Sequence, residues 1–316
     1  MGLRLTVALD GACAALEVAQ KVALKPESLP LAKNANPAPG PLIVRTLADL
    51  RRLTAGWRKA GESSAIIPTM GALHDGHLAL VKLGQAKAAR TITSIFVNPT
   101  QFAPHEDFSR YPRDEAGDVA KLAGVGCDAV WAPGVEEMYR TGAATRIVPK
   151  GAALGLETDF RPHFFEGVAT VCCKLFTQSQ ANFAIFGEKD YQQLCVVRQM
   201  VRDLDLPIEI VGMPTVREAD GVAMSSRNRY LSPEDRAIAP IIHRLITTIG
   251  AQLKAGVAID KATGDARAAL EQAGLKVDYV AVRDADTLGP WDVNSKREPR
   301  VLVAAWLGKT RLIDNL

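Results

Sequence analysis

Residues 65–97 read AIIPTMGALHDGHLALVKLGQAKAARTITSIFV, and this stretch decides the fold. Ala65–Pro68 is a short apolar run of strand type. Gly76–Arg90 has the length and composition of a helix, and Thr91–Val97 is a second buried strand. A strand, a helix and a strand in succession form a parallel crossover. Before this unit, Leu42–Val44 opens a strand. Thr46 then caps a helix over Leu47–Ala60, whose Leu47, Leu50, Leu53 and Trp57 recur at three- and four-residue steps. After it come a helix at Asp114–Gly124, a strand at Asp128–Trp131, a helix at Gly167–Gln178, a strand at Ala181–Phe186, a helix at Asp190–Asp203 and a strand at Ile208–Val211. Such alternation implies an α/β fold, a parallel sheet with crossover helices on both faces.

The pattern changes after Pro214. Two helices, near Pro233–Lys254 and Asp260–Ala273, precede two strand-like runs, Val277–Arg283 and Val301–Leu307, which suggests a smaller α+β domain. The first forty residues differ again. Pro26, Pro30, Pro37 and Pro39 disfavour regular structure, so 1–40 reads as an N-terminal extension, with one weak amphipathic helix over 3–24. A chain begun at Pro41 is expected to keep its fold and activity. The expected division is therefore 1–40, 41–213 and 214–316.

Composition limits the function. The 316 residues carry Lys+Arg 38 against Asp+Glu 35, a net charge of +3, which argues against a dedicated nucleic-acid binder but not against a locally basic pocket. The five cysteines, Cys13, Cys127, Cys172, Cys173 and Cys195, form no C-x-x-C pair and no disulfide framework, so a reducing cytoplasm is the expected setting. No apolar stretch is long enough to span a membrane. Met1–Thr6 fits the loose myristoylation pattern, and a signal-peptide reading is broken by Asp10.

In open α/β sheets, ligands sit at the carboxyl ends of strands. Four segments there carry chemistry. Pro68–His77 places His74 and His77 three apart at a helix start, with Gly71 and Gly76 allowing close backbone approach; two imidazoles and free N–H groups suit a triphosphate. The bland alternative is a metal pair or two surface histidines. In Phe96–Phe102, Asn98 and Gln101 offer neutral hydrogen-bonding groups beside apolar side chains, which suits a small hydroxy acid with an apolar body; alone, Asn-Pro is a plain turn. In Gly187–Gln193, Lys189 supplies a point charge for phosphate, Asp190 can hold ribose hydroxyls or hydrated Mg²⁺, and Gln193 shares a helix face with Lys189. A capped helix start with solvated charges would look the same. In Met224–Asn228, two hydroxyls and a guanidinium suit a leaving pyrophosphate, although Ser-Ser-Arg is common in loops. Neither a G-x-x-x-x-G-K-[ST] loop nor a G-x-G-x-x-G motif occurs.

Taken in order, these segments resemble the pantothenate synthetase (pantoate–β-alanine ligase) family of the H-x-G-H nucleotidyltransferases. The resemblance covers PTMGALHDGHLAL (68–80), SIFVNPTQF (94–102), YPR (111–113), GEKDYQQL (187–194), READGVAMSSRNRYLS (217–232), RDADTL (283–288) and VAAWLGKTRLIDN (303–315). It implies a Rossmann-like N-terminal domain, a homodimer, ATP with Mg²⁺, and pantoate and β-alanine as substrates. Pantoate's carboxylate would attack the α-phosphorus of ATP, and the amine of β-alanine would attack the resulting pantoyl adenylate, leaving AMP.

By the same resemblance, Met70, Gly71, His74, His77, Gly187, Glu188, Lys189, Asp190, Val216, Met224, Ser225, Ser226 and Arg227 would contact ATP. His77 would donate a proton, and His74, Lys189, Ser225, Ser226 and Arg227 would assist. Gln101, Gln193 and Asn98 would hold pantoate, with Gln101 also near β-alanine. Charge building on the phosphates calls for these His, Lys, Ser and Arg donors, and the approach of two anions calls for the cations among them.

The chain departs from the family in three places. Where members read R-P-x-H-F-x-G, it has Arg161-Pro162-His163-Phe164-Phe165-Glu166-Gly167, with the histidine one position early. The expectation is an irregular loop in which backbone rotation returns His163 to the usual place. The first forty residues are unmatched, and the chain stops at Leu316, short of the usual end. Competing readings are another H-x-G-H transferase, an adenylating enzyme of tRNA-synthetase type (disfavoured by the small net charge), and an ATP-binding sensor without catalysis.

Overall fold

A computed structural model describes residues 40–102, 108–109, 111–294 and 296–316. The expected helix over 3–24, the targeting patterns, the extension itself apart from Gly40, and Cys13 lie outside the described residues.

The first half alternates as its sequence implies: β1 (Leu42–Val44), α1 (Leu47–Lys59), β2 (Ser64–Thr69), α2 (Asp75–Lys87), β3 (Arg90–Ile95), α3 (Glu115–Gly124), β4 (Ala129–Trp131), the short α4 (Val135–Met138) and α5 (Glu157–Phe160), α6 (Phe164–Ser179), β5 (Phe183–Gly187), α7 (Tyr191–Asp203) and β6 (Glu209–Met213). Thr46 caps α1, its Oγ1 accepting from the Asp49 N–H at 3.2 Å. The six strands form one parallel sheet in the order β1-β4-β3-β2-β5-β6. Side chains alternate between its faces. Ile66, Ile92, Trp131 and Ala184 pack on one face with Leu50 of α1, Val168 of α6 and Val196 of α7. Ala65, Ile67, Val130 and Ile185 pack on the other with Leu80 and Val81 of α2 and Leu122 of α3.

The chain runs from β2 to β3 and β4 on one side, and returns to β5 and β6 on the other. The strand order therefore reverses between β2 and β5, where such sheets bind ligands. The register opens a cleft at this point. β2 pairs with β3 as far as Thr69↔Ile95, but with β5 only at Ala65↔Phe183 and Ile66↔Ala184. Thr69 O accepts from Phe96 on the β3 side, so Pro68, the preceding residue, faces β5 without an N–H to donate. Pairing stops there, and the two strand ends part.

The second half holds α8 (Pro233–Ile238), α9 (Ile241–Lys254), α10 (Ile259–Gln272) and an antiparallel sheet of β7 (Lys276–Asp284), β8 (Pro299–Leu307) and β9 (Thr310–Asn315). Its core sets Ile242, Ile246 and Ile249 of α9 and Leu270 of α10 against Val282, Val301 and Val303. The expected fold class stands, with three local corrections. The helix expected over Pro233–Lys254 breaks at Ala239-Pro240, because Pro240 cannot donate within a continuous helix. A third strand, β9, follows the two expected. The helix expected from Gly167 begins at Phe164, so residues 164–167 are a helix start rather than an irregular loop.

Candidate active site

The site is built from loops that leave the parted strand ends. Gly71 (φ 82°) and Ala72 (φ 52°) turn the chain after β2 in the left-handed region. A buried carboxylate of α3 holds that turn. Asp118 Oδ2 accepts from the Ala72 N–H at 2.7 Å, and Oδ1 from the Leu73 N–H at 2.8 Å. Lys121 donates to the Leu73 carbonyl at 2.9 Å.

This clamp sets down His74 just before α2, with His77 in the first turn, their ring centroids 4.1 Å apart. Gly76 leaves room for the His74 ring, since a Cβ there would lie 2.9 Å from its Cε1. The His74 N–H donates to His77 Nδ1 at 3.3 Å. In the neutral ring that assigns the proton to Nε2 of His77, which leaves it free to donate. Burial, with the charges of His74 and Lys189, pushes the His77 imidazole down to about 3. Burial and Lys189 push His74 down to about 4. Both rings are neutral at neutral pH, so the histidines are donors but not among the cations expected to receive the anions. The positive charge comes from Lys189, from Arg227 and from the N-terminus of α2.

Lys189 lies in the turn after β5, which Asn315 fixes by donating Nδ2 to the Glu188 and Lys189 carbonyls at 3.0 and 2.8 Å. Its ammonium stands 3.7 Å from the Asp190 carboxylate. From the other side, the Met224 N–H donates to the Val216 carbonyl at 2.9 Å. Ser225 Oγ accepts from the Arg227 N–H at 3.2 Å, capping the turn that carries Ser226 and Arg227.

These loops surround one cavity of about 1240 Å³, lined by Met70, His74, His77, Gln101, Gly187, Lys189, Asp190, Gln193, Val216, Met224, Ser225, Ser226 and Arg227. Three expected contacts do not line it. Gly71 faces Asp118 and Ile95, where an added Cβ would stand 3.1 and 3.2 Å from their side chains. Glu188 turns to Arg300, 3.2 Å away. Asn98 is buried and fully engaged: Nδ2 donates to Gln101 Oε1 (2.8 Å) and to the Gly167 carbonyl (3.2 Å), while Oδ1 accepts from Tyr139 and Thr100. It is a positioning residue, which orients the Gln101 amide with its NH₂ group left to donate. Gln192, beside Gln193, is likewise buried in bonds to Ala152, Gly155 and Glu157.

The family model described as pantoate-beta-alanine ligase matches residues 42–316. The chain belongs to the pantoate-beta-alanine ligase family. Pantothenate synthetase 2 of Bradyrhizobium diazoefficiens is 56% identical over 279 residues, covering 87% of this chain and 98% of its own. Pantothenate synthetase of Caulobacter vibrioides is 54% identical, with the same coverage of both chains. Among solved structures, pantothenate synthetase of Thermus thermophilus aligns with a TM-score of 0.81 at 45% identity, covering 87% of this chain and 98% of its own. The pantoate-beta-alanine ligase of Francisella tularensis, complexed with beta-gamma ATP and beta-alanine, aligns with a TM-score of 0.74 at 31% identity, covering 87% and 97%.

Against the ligase pattern, the displaced histidine is corrected by the helix. His163 is exposed and does not line the cavity, whereas Phe164 does, with the Arg161 guanidinium 3.8 Å from its ring centroid. One residue along a helix is a rotation of about 100°, so His163 cannot take the place that Phe164 holds.

Several residues that line the cavity had no individual role legible in the sequence. Thr215, Asn228, His243 and Arg311 line the cavity, and each has a buried polar atom without a partner. Glu157 and Tyr279 line it too. Only Asp118 left a signal, a charged residue one helical turn before Leu122 on the buried face of its helix.

Proposed function

We propose that the cavity joins pantoate to β-alanine in two steps at the expense of ATP. One observation carries the reading: the His74–His77 pair, Lys189 and Ser225–Arg227 come from three separate loops and converge on one cavity at the strand-order reversal. In the first step, a pantoate carboxylate oxygen attacks the α-phosphorus and the bond to pyrophosphate breaks. His77 Nε2–H, Lys189, the two serine hydroxyls and Arg227 donate to the phosphate oxygens as charge builds there. Gln101 and Gln193 hold the pantoate, and Met70, Val216 and Met224 flank the adenosine. In the second step, the β-alanine nitrogen attacks the acyl carbon. The C–N bond forms, the C–O bond to AMP breaks, and a proton passes to solvent.

Mg²⁺ belongs with the triphosphate. Among the described residues no group of three or more His, Cys, Asp or Glu is placed to hold a metal ion. Asp190, partly exposed beside Lys189, fits the single carboxylate that accompanies a phosphate-bound Mg²⁺. The ion would supply charge neutralisation on the phosphates.

In this division residues 41–213 bind ATP and pantoate, and 214–316 contribute Ser225, Ser226 and Arg227 to the same cavity. A homodimer, which the resemblance implies, in a reducing cytoplasm completes the reading; Cys127, Cys172, Cys173 and Cys195 are free thiols, in keeping with that setting. AMP formation with ATP, pantoate and β-alanine, each omitted in turn, tests the reaction. Sustained AMP release is expected only with all three, and its persistence without pantoate would refute the reading.

A further inference from the structure

A cluster of charged side chains at one end of the cavity is not used by the two steps above. Glu157 of α5 is its hub. One carboxylate oxygen accepts from the Tyr279 hydroxyl of β7 at 2.8 Å, and the other from Arg311 Nη1 of β9 at 2.7 Å. Arg311 Nε also donates to Asp278 at 2.7 Å. Arg161 stands 3.9 Å from Glu157 and donates Nη2 to the Gln101 carbonyl at 3.2 Å. A continuous set of contacts thus runs from Gln101, which the reading gives to pantoate, to the antiparallel sheet. Behind the hub, Gln192 Oε1 accepts from the Glu157 N–H at 3.0 Å and holds α5 in place.

Glu157, Asp278, Tyr279 and Arg311 line the same cavity as Gln101 and His77. The side chains of Glu157, Asp278 and Arg311 are only 7%, 6% and 12% exposed. The neighbouring lining residues Phe160, Lys276, Trp306 and Lys309 are exposed. The two carboxylates and two guanidiniums balance in charge, as buried ions must. The pairs join segments 122 and 154 residues apart in sequence, so opening them would separate α5 from the sheet.

An acyl adenylate is an activated anhydride, and water competes with the amine for it. In the wasteful step, water oxygen attacks the acyl carbon, the C–O bond to AMP breaks, and pantoate, AMP and a proton leave. Enzymes suppress such losses by excluding water from the intermediate. We propose that Glu157 and Arg311, with Tyr279, form a clasp that keeps water from the acyl adenylate and so directs the acyl group to the amine. They are positioning residues for the second step, and the proposal rests on the adenylation reading.

The test compares AMP with pantothenate, measured together over many turnovers, in the wild type, in Glu157→Gln and in Tyr279→Phe. The wild type should form one AMP per pantothenate, and should show pyrophosphate exchange with pantoate alone. Absence of that exchange in the wild type would overturn the adenylation reading and the clasp together. In the variants, AMP should exceed pantothenate about threefold or more and continue to form without β-alanine, as expected when water enters. A purely structural role would lower both products equally. A ratio that stays at one in the variants, whatever their rate, would overturn the clasp while leaving the adenylation reading intact. If Glu157→Gln does not fold, Tyr279→Phe, which removes one hydroxyl, decides by the same ratio.

Discussion

His74 and His77 show how much a residue's neighbours change its chemistry. The H-x-G-H spacing was legible because it follows a strand and starts a helix; the neutral state of the rings was not, because burial depends on the whole fold. Their lowered values bear on stability. From about 6.5 down to about 3 the unfolded chain holds protons on these rings that the folded chain does not, so stability is full above that window and falls as pH falls through it. Denaturation midpoints should therefore drop between about pH 7 and about pH 5, and the drop should be shallower in His77→Gln, which cannot titrate there. An unchanged slope would show that His77 is charged in the folded state. His163 is the opposite case. Its one-place displacement was visible in the sequence, but its direction depends on the helix that begins at Phe164. Because His163 is exposed and away from the cavity, His163→Ala should leave kcat/KM within about twofold, as surface changes usually do. A tenfold fall in the steady-state assay would contradict this placement.

At the level of elements, α6 and the loop after β3 are fitted to each other. Gly167 sits in the first turn of α6, and a Cβ there would collide with the Thr100 carbonyl oxygen, lie 2.7 Å from its carbon and 2.9 Å from the Gln101 nitrogen. These are backbone atoms and cannot swing aside. Gly167→Ala should cost about 1–3 kcal/mol of stability, the range for overpacking. It should also raise the KM for pantoate more than it lowers kcat, because Gln101 moves while the phosphate donors do not. Equal KM values for variant and wild type would remove Gln101 from the pantoate site. Long periodic elements such as α1 were readable from apolar spacing alone. The start of α6 and the strand β9 were not. The first lies in a motif that looks like a loop, and the second is a short run (TRLIDN) whose inward residues include Asp314, buried only because Arg217 pairs with it at 2.6 Å.

For the whole molecule, the decisive feature is the parting of β2 from β5. Strand alternation was reason to expect a parallel sheet and a site at its carboxyl edge. The strand order that places the His74 and Lys189 loops on either side of one cleft was beyond it, because pairing partners lie far apart in the chain. The same limit hid the Glu157–Arg311 contact: Arg311 lies in the stretch VAAWLGKTRLIDN, but nothing in that stretch points to Glu157, 154 residues away. The central claim is that this cleft performs adenylation before the amine takes part, with His77 donating to the phosphates. Exchange of labelled pyrophosphate into ATP measures that step directly. With pantoate present and β-alanine absent, exchange should be rapid, and His77→Ala should lose about 3 kcal/mol of transition-state stabilisation, roughly a hundredfold in rate, while keeping a wild-type melting profile at neutral pH. Exchange that requires β-alanine, or that survives His77→Ala unchanged, would contradict the account.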